Sequence, residues 1–160
     1  FKCIQPMYNL VKRQAEVEIL PMALSENIGV ISYSPLGGGL LTGKYGINKR
    51  PKDGRLIENK MYKERYGDPR VFKIAEKFSH LANEQDLSPI SLAIAWVASH
   101  PAVTAPIIGG RNSIQLKESL KSVDIKMTEK LRKRITALSP NPPIATDRNE
   151  EQTKYNYGQR

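Results

Sequence analysis

The sequence predicts an α/β fold in which parallel strands alternate with helices, and three observations carry that prediction. Runs of β-forming residues at 1–8, 30–34 and 103–109 are separated by segments whose apolar residues repeat at helical spacing. Two of those segments open on Asp68-Pro69 and Ser88-Pro89, a capping side chain followed by a proline suited to a first helical turn. The second β run leads directly into "PLGGGLLTGKYG" (35–46), a glycine-rich connection at a strand's carboxyl end, where ligands gather in such folds.

Taken in order, residues 1–8 form a strand that carries Gln5 and Tyr8 to its carboxyl end. A turn near 13–16 follows, then a helix over 20–26 with Pro21 in its first turn, ended by Gly29. "VISYS" (30–34) is the second strand. The polar, basic stretch 47–67 reads as a long surface loop with one short helix. From Asp68, Val71, Phe72, Ala75, Phe78, Leu81 and Ala82 mark the apolar face of an amphipathic helix. "ISLAIAWVAS" after Pro89 is apolar on most of its circumference and must be buried. "VTAPIIG" (103–109) is the third strand, although Pro106 removes a ladder donor and argues against a central position. A helix starts at Asn112 or Ser113, and Thr128-Glu129 opens another with Leu131, Ile135 and Leu138 on one face. Residues 1–139 thus read as one unit. The polar stretch 140–160 reads as an extended or disordered tail. Three parallel strands leave apolar sheet edges bare, so the chain is expected to be part of a larger barrel or sheet.

Composition narrows the chemistry. The 160 residues include a single cysteine, Cys3, and two histidines, His80 and His100, which excludes an internal disulfide and disfavours a metal centre. A reducing, cytoplasmic compartment is expected. No apolar run approaches the roughly 18 residues of a membrane span. The net charge of +9 would attract polyanions, but the cations are scattered without interleaved aromatics, so nucleic acid is not expected as a partner.

The glycine stretch nearly matches the triphosphate-binding pattern, with Gly38, Gly43 and Lys44 in register. Tyr45 occupies the place of the magnesium-binding hydroxyl, and neither other strand ends in a carboxylate, so a magnesium nucleotide is disfavoured. A dinucleotide pyrophosphate, which glycine amides can hold without metal, stays open, as does a simple sharp turn at residues 37–39.

"GVISYSPLGGGLLTGKYG" together with "SPISLAIAWVASHPAVTAPIIGGRNSIQLKESL" resembles the aldo-keto reductase family from Gln5 to about Leu138. The resemblance implies a (β/α)8 TIM barrel that binds NADP(H) at its carboxyl face, and this chain would supply the carboxyl-terminal portion, strands six to eight with their helices. By the same resemblance, Gln5 would hydrogen-bond the nicotinamide carboxamide and Tyr33 would stack on the ring. Ser34, Pro35, Leu36, Gly37, Gly38 and Gly39 would wrap the pyrophosphate, with Lys44 and Arg55 adding charge. Gly109 and Arg111 would form the loop at the 2′-phosphate, and Gln115 and Glu118 would contact the adenosine. Ser119 stands where asparagine is common in the family.

The family reduces aldehydes or ketones to alcohols, using a tyrosine acid tuned by lysine and aspartate beside a histidine. All four belong to the first half of the barrel, and no residue here matches them. The chain is therefore expected to bind cofactor without turning over a small carbonyl substrate alone, the missing acid coming from an amino-terminal half-barrel. The alternative is a non-catalytic or regulatory nucleotide-binding half-barrel that needs a partner.

Overall fold

The computed structural model describes residues 1–144. Three strands, β1 (Cys3–Ile4), β2 (Gly29–Ser32) and β3 (Ala105–Pro106), form one parallel sheet in the order β1-β2-β3. Cys3 pairs with Gly29 and Ile4 with Val30; Ile31 pairs with Ala105 and Ser32 with Pro106. The first and third strands are shorter than the residue pattern predicts. Beyond β1, a proline at position 6 breaks the ladder, and pairing resumes only as a single bridge between Met7 and Tyr33. Within this sheet β3 pairs on one side only, the position in which Pro106 is tolerated.

The crossovers are helical. Between β1 and β2 lie a 3-10 turn (Gln14–Glu16) and α1 (Ile19–Ser25), with Pro21 in the first turn. Asn27, not Gly29, ends α1: it takes a left-handed φ of 53° while the Ile28 amide reaches back to the Ala23 carbonyl at 2.8 Å. Gly29 instead begins β2, where a Cβ would stand 3.4 Å from the Lys2 carbonyl oxygen.

Between β2 and β3 the chain forms a glycine turn (Gly37–Gly39) and four helices: α2 (Arg55–Glu58), α3 (Lys60–Arg65), α4 (Pro69–Glu84) and α5 (Pro89–Ala98). The stretch 47–67 is thus more ordered than a surface loop. It buries Leu56 and Tyr66, and Asn59 caps α3 by accepting from the Tyr62 amide at 3.2 Å. Asp68 caps α4 as expected, accepting from the Arg70 amide at 2.8 Å. Every residue of α5 from Ser91 to Val97 is buried.

After β3 come α6 (Ser113–Leu120), capped by Asn112, a 3-10 turn (Lys121–Asp124) and α7 (Glu129–Thr136), capped by Thr128. The core lies where β2 meets these helices and joins Val30, Leu20, Phe78, Leu92, Trp96 and Ile135 to Tyr8. Of the polar segment 140–160, residues 145–160 lie outside the described residues. No helix among the described residues is long and apolar enough to cross a membrane.

Candidate functional site at the strand ends

Parallel strands direct their carboxyl ends to one side, and here three of them meet. The Tyr33 amide donates to the Pro6 carbonyl at 3.0 Å, and the Tyr8 amide donates to the Tyr33 carbonyl at 3.3 Å. On the other flank, the Ile107 amide donates to the Ser32 carbonyl at 2.7 Å. Gln5, Tyr33 and the loop after β3 therefore leave the sheet side by side. Gln5 is exposed, and Tyr33 is half-buried.

The glycine turn follows at once. Gly37, Gly38 and Gly39 all have positive φ (58°, 67° and 100°), which a side chain would resist. Their amides are engaged inside the turn. Gly37 donates to the Ser34 carbonyl at 2.9 Å, Gly38 to Ser34 Oγ at 3.3 Å and Gly39 to the Leu36 carbonyl at 3.0 Å. The expectation that these amides face phosphate oxygens is therefore not what this conformation presents; the glycines make the turn itself. Gly38 is closed in, since a Cβ there would lie 2.6 Å from Tyr62 Cδ1. Gly39 is open, with nothing within 4 Å of a Cβ position. Pro35 is buried and Leu36 half-buried beneath the turn.

Two cations flank it. Lys44 is exposed just before Tyr45, which is buried against Phe72 with ring centroids 6.2 Å apart. Tyr45 is thus a core residue and no ligand of magnesium. Arg55, exposed at the start of α2, lies over the Tyr62 ring at 5.7 Å. Gly54 brings the two regions together: a Cβ on it would lie 3.0 Å from the Tyr45 hydroxyl.

The loop after β3 is built around helix capping. Asn112 Oδ1 accepts from the Gln115 amide at 3.0 Å, while Gln115 Oε1 accepts from the Arg111 amide at 3.0 Å, a reciprocal pair that closes the loop onto α6. Gly109 has open space around it. Gly110, which the motif analysis passed over, is crowded, with a Cβ position 3.0 Å from the Leu116 amide nitrogen. Arg111 is exposed.

Glu118 is turned toward α5. Ser91 Oγ donates to the Glu118 carbonyl at 2.7 Å, and Lys121 Nζ lies 2.9 Å from Glu118 Oε2. Hydrogen bonds from Ser88 and Lys121 hold this carboxyl below its usual range. Ser119 is buried and donates to the Gln115 carbonyl at 3.0 Å.

Two further residues belong to the site. Asn9 is fully buried, and its Nδ2 donates to the Ser34 carbonyl at 3.0 Å. Tyr66 is buried with its hydroxyl 3.4 Å from that same nitrogen. The i, i+4 spacing of Tyr62 and Tyr66 was the available sequence signal for Tyr66; Asn9 has none, because a buried amide looks like any polar residue near a strand end.

Three of the described tyrosines are buried. Burial pushes the Tyr8, Tyr45 and Tyr66 phenols up, and Glu16 adds to the rise at Tyr8. A general acid near neutral pH needs the opposite shift. No group of three His, Cys, Asp or Glu suited to a metal occurs among the described residues. Two grooves on the helical exterior, one between α4 and α7 and one beside Gly43 and Pro89, contain none of the strand-end residues.

Comparison with known proteins identifies the family. The profile of the aldo/keto reductase family matches residues 1–140. The uncharacterized oxidoreductase YrpG of Bacillus subtilis is 35% identical over 142 residues, covering 86% of this chain and 40% of its own length. A protein of Arabidopsis thaliana named as a probable voltage-gated potassium channel subunit beta is 39% identical over 126 residues, covering 76% and 38%. Protein tas of Escherichia coli is 29% identical over 137 residues, covering 84% and 39%. The chain spans about two fifths of the length of these relatives. With the family profile matched over residues 1–140, the chain belongs to the aldo/keto reductase family, whose fold is a (β/α)8 barrel; its three-stranded parallel sheet and helices are consistent with a portion of such a barrel.

Proposed function

We propose that this chain is the carboxyl-terminal, cofactor-binding part of an NADPH-dependent carbonyl reductase. The observation that carries the reading is the alignment of three parallel strand ends, with Tyr33 bonded to the backbone at Pro6 and Tyr8 and followed directly by the glycine turn. The residues fit a dinucleotide because the turn at Gly39 and the loop at Gly109 both leave open space where a side chain would otherwise stand.

Gln5 would hold the carboxamide, since its amide both donates and accepts. Tyr33 offers a flat, half-buried ring for the nicotinamide. With the amides of Gly37–Gly39 engaged internally, the pyrophosphate charge falls to Lys44 and Arg55. Arg111 would meet the 2′-phosphate, beside Gln115, Glu118 and Ser119 on α6. The bound dinucleotide supplies the hydride that a carbonyl carbon accepts on reduction. This chain would orient that group, and no acid to protonate the product oxygen is assigned among its described residues.

The test is a fluorescence titration of the folded chain with NADPH and with NADH, beside an aldehyde-reduction assay. Saturable binding that favours NADPH, without turnover, supports the reading. A chain with intact helical dichroism that binds neither nucleotide overturns it, and turnover by the chain alone overturns the absence of an acid.

A second reading is favoured by the relative named as a channel subunit beta. In that case the chain is the nucleotide-binding part of an auxiliary subunit. Nucleotide-dependent binding to a partner protein by the longer polypeptide, with no reductase activity, would favour it over the enzyme.

A further inference from the structure

Ser34 stands where the chain leaves β2 for the glycine turn, and its φ of 60° is left-handed. Among the described residues only Asn27 and Asp86 share this trait outside glycine, and both close helix ends. They are also the residue types that tolerate the conformation. Ser34 closes no helix, and its Cβ resists this region of backbone space. Its conformation must be held by neighbours.

The neighbours are specific. The Ser34 carbonyl accepts from the Gly37 amide and from Asn9 Nδ2, and Ser34 Oγ accepts from the Gly38 amide. Asn9 is itself immobilised. Its Oδ1 accepts from the Val11 amide at 3.1 Å, and its backbone exchanges hydrogen bonds with Lys12 in both directions, at 3.2 and 3.1 Å. Tyr66, at the end of α3, sits on the same nitrogen at 3.4 Å and reaches Met7 Sδ at 3.7 Å. A buried carboxamide is thus fixed on three sides and aimed at the carbonyl of the one strained residue that sets the path of the turn.

We propose that Asn9 is a positioning residue for the glycine turn. Its carboxamide, backed by Tyr66, holds Ser34 left-handed and so fixes the course of Gly37–Gly39 beneath the nucleotide phosphates. The inference rests on the reading of this turn as part of a nicotinamide nucleotide site. A carboxamide that merely satisfied itself in the core would make no demand on the conformation of Ser34.

The test uses Asn9→Asp, which keeps the shape and the Val11 acceptor but loses the donor to Ser34. Hydrogen–deuterium exchange is read without nucleotide at the Gly37 and Gly38 amides, the two that bond Ser34. Exchange there is expected to rise about tenfold while α4 and α5 keep their protection, and NADPH binding is expected to weaken about tenfold. In a Ser34→Gly background the left-handed conformation is free, so Asn9→Asp should weaken binding far less than it does alone. Should Asn9→Asp fold poorly, Tyr66→Phe removes the hydroxyl that supports Asn9 and also touches the Ser34 side chain, and should give the same local change in smaller measure. Unchanged exchange at Gly37 and Gly38, or an undiminished effect in the Ser34→Gly background, overturns the role of Asn9. A wild-type chain that binds no NADPH overturns the nucleotide assignment instead, and the exchange data stand apart from it.

Discussion

Arg13 and Glu16 form a two-point ion pair, with Nε 3.0 Å from Oε1 and Nη2 2.7 Å from Oε2, under the end of α7. The guanidinium is 6% exposed and the carboxylate 19%. Arg13 Nη1 also donates to the carbonyls of Thr136, Ser139 and Pro140, between 3.2 and 3.4 Å. Thr136 is the last residue of α7, and Ser139 and Pro140 follow just beyond its end. Glu16 in turn accepts from the Tyr8 hydroxyl at 2.6 Å, so one buried network ties the loop after β1 to the last helix.

Removing one half of that pair leaves the other buried and uncompensated. Arg13→Met is expected to destabilise the chain by about 3 kcal/mol in urea unfolding. The double variant Arg13→Met/Glu16→Gln should lose less than the two single variants summed, because no charge is then stranded. Additive losses would mean that the pair is not coupled.

Acid should weaken the fold in two stages. Burial and the Arg132 charge push His100 below its ordinary 6.5, with Glu16 opposing in part, so the fold favours its neutral form. The unfolded chain takes a proton near 6.5, so this contribution is complete above that pH and declines as the pH falls below it. Glu16 follows. Burial works against its charge, but hydrogen bonds from Arg13 and Tyr8 prevail and hold it below its ordinary 4.5. Its contribution is present above 4.5 and is lost as the pH falls through the lower value in the fold. In His100→Asn the decline that begins below pH 6.5 should disappear while the later one stays. Thermal melting from pH 8 down to about pH 2 reads both.

Gly38→Ala should cost about 1–3 kcal/mol, because the new methyl meets both an unfavourable φ and the Tyr62 ring. Gly39→Ala meets only the backbone penalty, since the space beside it is open. Equal melting temperatures for the two variants would show that the packing of α3 on the turn contributes nothing.

Arg111→Ala should weaken NADPH binding about tenfold and leave NADH binding unchanged, as expected when one charge-assisted contact to a phosphate is lost. A parallel loss for both nucleotides would place Arg111 elsewhere on the ligand. No change in either would remove it from the site.

Much of this arrangement was legible in the residues. Asp68-Pro69 and Thr128-Glu129 named helix starts that the caps reproduce, because an N-cap is a local event decided within three residues. β1 and β3 are shorter than the residue pattern predicts, since β propensity marks residues that suit a sheet and says nothing of whether a partner strand continues beside them. The pair α2 and α3 was hidden by its polarity. Leu56, Tyr62 and Tyr66 (the last at the α3 C-cap) serve the glycine turn instead of a helical stripe. At the site, the motif located the glycines but could not reveal that their amides are turned inward. Nor could it reveal Asn9, whose role depends on a carbonyl 25 positions away.

The Arg13 clamp has a consequence for the order in which the chain can fold. Its acceptors lie 123 to 127 positions downstream. During synthesis the arginine and its glutamate therefore leave the ribosome long before the helix end they secure exists. Until α7 arrives, the early strand and turn lack their closing bonds, and contacts of such long sequence separation are slow to form. Stability in this chain is thus delivered late, by the last of its described helices, and a nascent chain halted before residue 136 would hold the glycine turn on an unfinished foundation.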